Sequence, residues 1–485
     1  MTRPANHKHG RIVSLGVLAG LWLVAATPAA APAAAQSLDD ALAMTYASNP
    51  TLLAERARLR AIDEGVPQAL SGWRPTVTVN GAIRRQFTDT QTAFQFSAGE
   101  QTIYPKTFEL SASQPLYRGG RTVAETKRAE ALVQSGRADL IDVEQQVLLR
   151  AATAFYNVVR DQAVVGLNIN NERVLTRQLE ATRDRFEVGE VTRTDVSQAE
   201  ARLADAAAAR IESEGNLQIA RTDFEAVVGV LPGKLSFPPA ERMPGLFGAQ
   251  AGLDLAMSRN PAILSAAFDE RAALYDISAA GGRLLPEVTL DTSLGRAYDP
   301  NTFTDEQDSF QIGASVRVPL YQSGEEYSLV REYRQTAAQR RRELDQARRD
   351  TREDFARGWE QLITARARIS SFQASVRANQ IALDGVEQEA AVGARTVLDV
   401  LDAEQELFNA RVNLVRARRD EGVAAFAMLE VTGGMTAAEL RLPVASYDPA
   451  VHYNQVRDKW LGFGDDYEGG ELFDLDTEGM FDFLE

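Results

Sequence analysis

The sequence predicts an α+β membrane protein, with long helical coils joined to a few transmembrane β-strands and the whole written as two internal repeats. Three observations predict it. A set of motifs recurs at a fixed spacing, two spans of more than a hundred residues lack proline, and short segments alternate apolar with polar residues.

The chain opens with Arg3, Lys8 and Arg11, a mostly apolar run from Ile12 to Ala26, and the small residues Ala33-Ala34-Ala35. Residues 1–35 therefore read as a cleaved secretory signal. An uncleaved anchor is the other reading, but the apolar run falls short of the roughly 20 residues a spanning helix needs. No later run reaches that length, so strands are the expected route into a membrane. With no cysteine in 485 residues, disulfides, thiol chemistry and thiolate metal sites are excluded. The formal charge of −16 falls to about −19 once the three basic residues of the signal are removed, which disfavours nucleic acid as a partner. His7 and His9 lie in the signal and His452 stands alone, so histidine catalysis has little to work with.

Repeat 1 is expected over 36–236 and repeat 2 over 237–445. Asn49-Pro50 recurs as Asn260-Pro261, and Pro75-Thr76-Val77-Thr78 as Pro286-Glu287-Val288-Thr289, both 211 residues on. Pro115-Leu116-Tyr117 recurs as Pro319-Leu320-Tyr321, Val188-Gly189 as Val392-Gly393 and Asp195-Val196 as Asp399-Val400, now 204 residues on. The single change of seven residues falls between the two prolines bracketing each strand region, which marks a hairpin-tip loop.

Each repeat reads helix, strand, strand, long helix, helix. Strands are expected near 74–87 and 106–117, with helices over 119–187 and 191–229. In the second copy the strands fall near 286–297 and 309–320, and the helices over 322–391 and 396–433. No proline occurs from Leu116 to Leu231 or from Leu320 to Leu442, and each interior proline would cost a helix about 3 kcal/mol. Leu140, Val147, Ala151, Phe155, Val158, Val165 and Ile169 form an apolar stripe at helical spacing. A cytoplasmic coiled coil would share that stripe, but not the signal or the strands.

In the strand regions Phe310, Ile312, Ala314, Val316 and Val318 alternate with polar or small residues, as do Val77, Val79 and Ile83, and Val288, Leu290 and Leu294. The segment around Phe108, Leu110 and Ala112 alternates less cleanly. A small sandwich with one wet face would look similar. If the strands span a membrane, four cannot close a barrel, because single-chain examples start at eight and lipid tolerates no open edge. Several copies must then share one barrel.

The duplicated Pro-Leu-Tyr-x-x-Gly exits and the paired turns Val188-Gly189-Glu190-Val191-Thr192-Arg193-Thr194-Asp195 and Val392-Gly393-Ala394-Arg395-Thr396-Val397-Leu398-Asp399 resemble the TolC family of outer-membrane efflux and secretion channels. The resemblance covers roughly residues 37–435. It implies a homotrimer with one twelve-strand barrel in outer-membrane lipid, four strands per protomer, above a periplasmic helical tunnel. It also implies a periplasmic adaptor and an ABC or proton-driven inner-membrane pump as partners. By the same resemblance, Val188, Gly189, Val392 and Gly393 form the adaptor-docking tips. Asp399 and Asp402 line the closed tunnel mouth, where six carboxylates could attract a divalent cation. Arg395 holds the gate through Thr194 and Asp195. Position alone favours a plainer role for Asp399 and Asp402, as charges at a positive helix start. Ala390 stands where the family often has tyrosine, so one latch contact is expected to be missing.

No cofactor and no catalysis are expected, and Gly229-Val230-Leu231-Pro232-Gly233-Lys234-Leu235 lacks the spacing and final Ser or Thr of a phosphate loop. Residues 446–485 read as an acidic disordered tail, with ten acids and one lysine from Asp458 onward. The rival from another class is a periplasmic coiled-coil adaptor or structural protein, although no paired lipoyl-like β segments flank the coils.

Overall fold

A computed structural model describes residues 37–90, 99–239, 248–301 and 303–462. The expected signal, part of the loop where the repeat register shifts, and the last 23 residues of the tail lie outside the described residues.

Repeat 1 comprises α1 (Leu38–Ser48), α2 (Pro50–Asp63), α3 (Gly65–Leu70), β1 (Thr76–Ile83), β2 (Gln86–Thr90), β3 (Gly99–Ile103), β4 (Lys106–Arg118), α4 (Arg121–Glu187) and α5 (Arg193–Val228). Repeat 2 runs α6 (Ala249–Arg259), α7 (Pro261–Gly282), β5 (Glu287–Asn301), β6 (Thr304–Arg317), α8 (Glu325–Ala391) and α9 (Val397–Val431), and α10 (Ala450–Val456) follows. The duplicated Asn-Pro pairs do the same work twice. Asn49 and Asn260 each cap a helix whose first residue is proline. Their amides also donate to the carbonyls of Val227 (2.9 Å) and Val431 (3.1 Å), binding each short helix to the end of its long coil.

Helices α4 and α8 each have 67 residues, about 100 Å at 1.5 Å per residue. Near the middle of α4 the core closes around Tyr156, which lies edge-on to Phe155 and against Phe237 and Phe426. Gly422 on α9 permits that approach, since a Cβ there would meet the Tyr156 ring at 2.3 Å. The two long helices differ in cover. Helix α4 packs against α2, α5, α7 and α9 and buries 25 residues, whereas α8 packs against α6, α7 and α9 and buries eight. Among the described residues, one side of α8 therefore stands without a partner.

The strands β1, β4, β5 and β6 form an antiparallel sheet in that order. Its register lines up Val79, Leu110, Leu294 and Phe310 on one face, with Thr78, Ser111, Ser293 and Gln311 on the other. The apolar face is open, with Ile312 and Val316 each 64% exposed. On the polar face the carboxylate of Asp291 accepts from Ser113 Oγ at 2.6 Å and Thr289 Oγ1 at 2.9 Å. A face this apolar on a sheet that fits no helix core suits lipid, not a sandwich.

Three expectations need correction. The strand segments number six among the described residues, because the first hairpin breaks and resumes as β2 and β3, a separate pair. The break falls at Pro105, which has no N–H to give the ladder and accepts only from Arg84 N at 2.9 Å. The second hairpin runs further than 286–297 and 309–320, reaching Asn301 and Thr304. The charges that ended its alternation pair across the strands, with Arg296 Nε 2.7 Å from Asp308 Oδ1. Finally, residues 446–462 are folded. His452 Nδ1 sits 3.0 Å from the carboxylate of buried Asp63, Arg457 reaches Glu130 at 3.3 Å, and the Arg74 guanidinium covers the Trp460 ring while donating to the Lys459 carbonyl. The acids of the tail are concentrated beyond this anchored stretch.

Glu430 on α9 is partly buried, and burial, with Asp142 and Asp354 nearby, pushes its carboxyl up to about 7. A raised folded value means that its stabilising contribution is complete below the unfolded value near 4.5 and is lost as pH rises through 7. That loss is worth at most about 3 kcal/mol. Glu430→Gln should raise the thermal midpoint at pH 8 and leave it nearly unchanged at pH 4.5. Equal shifts at both values would assign the effect to packing instead.

Candidate functional site

The two helix turns far from the sheet are built alike. Helix α4 ends at Glu187, and Gly189 (φ 85°) sends its N–H to the carbonyl of Phe186 while Glu190 N–H reaches Arg185 O at 2.9 Å. Helix α8 ends at Ala391, and Gly393 (φ 77°) and Ala394 repeat both bonds onto Ala390 and Glu389. Each is a Schellman stop, whose left-handed residue is cheapest as glycine. A Cβ at either glycine would meet nothing within 4 Å, so backbone conformation alone selects it. Beside them Val188 (72%) and Val392 (81%) are exposed, giving each tip an apolar point in water.

Each following helix opens on a capping box. Thr192 Oγ1 accepts from Asp195 N, and Asp195 Oδ2 accepts from Thr192 N at 2.8 Å; Thr396 and Asp399 do the same, with Thr396 N to Asp399 Oδ2 at 2.9 Å. Hydrogen bonds from these threonines hold both aspartates below the usual carboxylate range, so both are ionised at neutral pH. Asp399 is thus engaged locally, in the same way as its repeat counterpart. Asp402 is not: the equivalent position in repeat 1 is Gln198, and Asp402 Oδ1 accepts from Arg202 Nη2 on α5 at 2.7 Å. This bond joins the two coils directly.

Below it, Val397 and Leu401 of α9 insert among Leu175 and Leu179 of α4 and Ala199 and Ala206 of α5. The start of α9 is therefore held to the first coil by an apolar contact with, among the described residues, one ion pair at its rim. Glu404 sits alongside, its carboxyl raised by burial and by Glu387 and lowered less by Arg411 and Arg177. Arg395, in contrast, bonds Glu389 Oε2 at 2.8 Å on its own hairpin. Within one protomer the structure gives Arg395 this partner and gives Asp195 to Thr192; Thr194 lies on the first turn of α5. Sequence reading missed Arg202 and Glu404. Arg202 lies seven residues after Asp195, two turns along the same helix face, a spacing that could have flagged it.

Because Thr396 and Asp399 act as one box, Thr396→Ala, Asp399→Ala and the double variant should each destabilise the start of α9 by about 0.5–2 kcal/mol. Amide exchange across 397–401 should show the three alike. Additive losses would mean that Asp399 contributes by another route.

The comparisons identify the family. The model of the family described as outer membrane efflux protein matches residues 41–230 and 252–434. The outer membrane efflux protein BepC of Brucella suis is 35% identical over 432 residues, covering 89% of this chain and 92% of that protein. The outer membrane protein TolC of Vibrio cholerae is 26% identical, covering 83% and 92%. Among solved structures, the Campylobacter jejuni CmeC outer membrane channel superposes with a TM-score of 0.74 at 14% identity, covering 87% of this chain and 89% of that one. With both repeats matched in order, the chain belongs to the outer membrane efflux protein family.

Proposed function

We propose that three copies of this chain form a passive export duct across the outer membrane, fed by a periplasmic adaptor and an inner-membrane pump. The protein is an outer-membrane channel of the efflux and type I secretion class. The observation that carries the trimeric reading is the four-stranded sheet, apolar on one face and, among the described residues, unpaired at β1 and β6. Four strands from each of three copies make twelve, an even number within the range of closed barrels. Helices of about 100 Å then extend the pore into the periplasm. A duct needs no catalytic group, and its energy would come from the pump.

The exposed valines at the two Schellman turns support docking of an adaptor at Val188, Gly189, Val392 and Gly393. For the gate, Arg202–Asp402 is the tie between the coils, and Arg395 is proposed to add a further tie to Thr194 and Asp195 of the neighbouring coil. Asp402, ringed threefold, is the candidate for cation block once Arg202 releases it, since Asp399 stays engaged by its cap.

Planar-bilayer recording tests this assignment. Arg202→Ser should raise conductance by loosening the mouth, and adding Arg395→Ser should raise it further. Asp402→Asn should weaken divalent-cation block more than Asp399→Asn, and block should fade as salt screens the ring. If Arg202→Ser conducts like the parent and Asp402→Asn keeps full block, this gate assignment fails.

A further inference from the structure

After α9 the chain continues toward the sheet. Residues 446–462 form a strap that runs beside α2 and α3. Tyr447 N–H donates to Tyr46 Oη at 2.9 Å, and the Arg56 guanidinium covers the rings of both tyrosines. Further along, His452 meets Asp63, and the Arg137 guanidinium of α4 covers the Tyr453 ring. Arg457 then donates to Tyr453 Oη at 3.2 Å and reaches Glu130. At the far end Arg74 donates to the Lys459 carbonyl at 2.8 Å and lies 4.9 Å above the Trp460 ring. From Arg56 to Arg74 the strap climbs about 25 Å.

This strap adds little to the core. Among the described residues after Leu442, Val456 is the one buried apolar side chain, while Trp460 and Leu461 are 65% and 89% exposed. These two stand at the foot of the sheet. Arg74 lies two residues before β1, Trp73 is exposed beside it, and the Trp73 carbonyl accepts from Gln114 Nε2 of β4 at 2.7 Å. Val77, four residues after Trp73, opens the apolar face. Nearby, Arg118 and Arg121 pair with Glu287 where strands give way to helices, β5 starting at Glu287 and α4 at Arg121. Tryptophan beside fixed cations, at the level where an apolar strand face ends, is the composition of a membrane–water interface.

We propose that Trp460 and Leu461, with Trp73, form a foot seated among the phospholipids of the leaflet that faces the periplasm, resting on the outer-membrane assignment above. Continuity argues for lipid as the occupant, because the foot adjoins the end of a sheet face that itself suits lipid. Arg74 has a defined part. By bonding the Lys459 carbonyl and lying on the indole, it fixes the ring at the base of β1 instead of leaving it to swing with the chain end. Lys459 is exposed next to the ring, and its long stem lets the ammonium reach a headgroup phosphate. The strap explains itself on this reading: a segment that buries one apolar side chain is tied at five places so that its last two apolar residues reach the leaflet. The foot differs from the strands in one respect, since it needs no second copy to meet lipid.

Tryptophan fluorescence tests this, because the chain has only four such residues. Trp22 falls in the expected signal, and Trp359 stacks on Phe355 about 50 Å along α8 from its sheet end. Full-length channels keeping only Trp460 (Trp73→Phe with Trp359→Phe), only Trp73 or only Trp359 are reconstituted in phosphatidylcholine vesicles brominated near the headgroup or deep in the acyl chain. Shallow bromine should quench Trp460 and Trp73 by about half, deep bromine less, and neither should quench Trp359. Adding Leu461→Asp should cut the quenching of Trp460 by about twofold. In channels that float with the vesicles, a Trp460 quenched no more than Trp359 overturns the foot. Acrylamide then separates the two ways of failing: a ring quenched by acrylamide stands in water, and one protected from both quenchers is covered by another copy of the chain. Channels that do not float with the vesicles would overturn the membrane assignment itself.

Discussion

The constraint on which everything else depends is the backbone of β1 and β6. Each edge carries a row of N–H and C=O groups with no partner among the described residues, on a sheet whose apolar face is built for lipid. In water such an edge can be solvated; in hydrocarbon each unsatisfied group costs several kcal/mol. The chain cannot resolve this alone, because four strands are too few to close. In the proposed trimer, copies complete the sheet, the polar ladder of Thr78, Ser111, Ser293 and Gln311 facing a lumen and the apolar ladder facing lipid.

The helical part follows from the same closure. A helix pair that emerges beside a shared barrel needs neighbours on both sides, which α4 has within the chain and α8 does not. The duplication explains the difference: each repeat supplies one long helix and one short pair, and only a ring of such units gives every long helix the same surroundings. The contrast between 25 buried residues in α4 and eight in α8 is what the proposed ring would even out.

Much of this was legible in the sequence because it rests on patterns that recur. The 204- and 211-residue offsets, the missing prolines and the alternation of Phe310 to Val318 all act through backbone geometry, and the family match in both repeats agrees with the fold they implied. Gly120, Gly189 and Gly229, with their repeat counterparts Gly324, Gly393 and Gly433, all have positive φ. What could not be read was partner choice between side chains distant in sequence. Asp399 looked like half of a carboxylate pair until its box with Thr396 was visible, and Asp402 gained its meaning from Arg202, 200 positions earlier. Composition misled at the tail, where acids beyond Asp458 hid the anchors His452, Tyr453 and Arg457.

The central claim is that the sheet edges are satisfied by other copies of the same chain. Native mass measurement of the channel released from outer membranes in mild detergent tests it most directly. The account predicts a particle of three chains and no stable species of one. A single chain that remains folded in detergent and still conducts ions in a bilayer would contradict it.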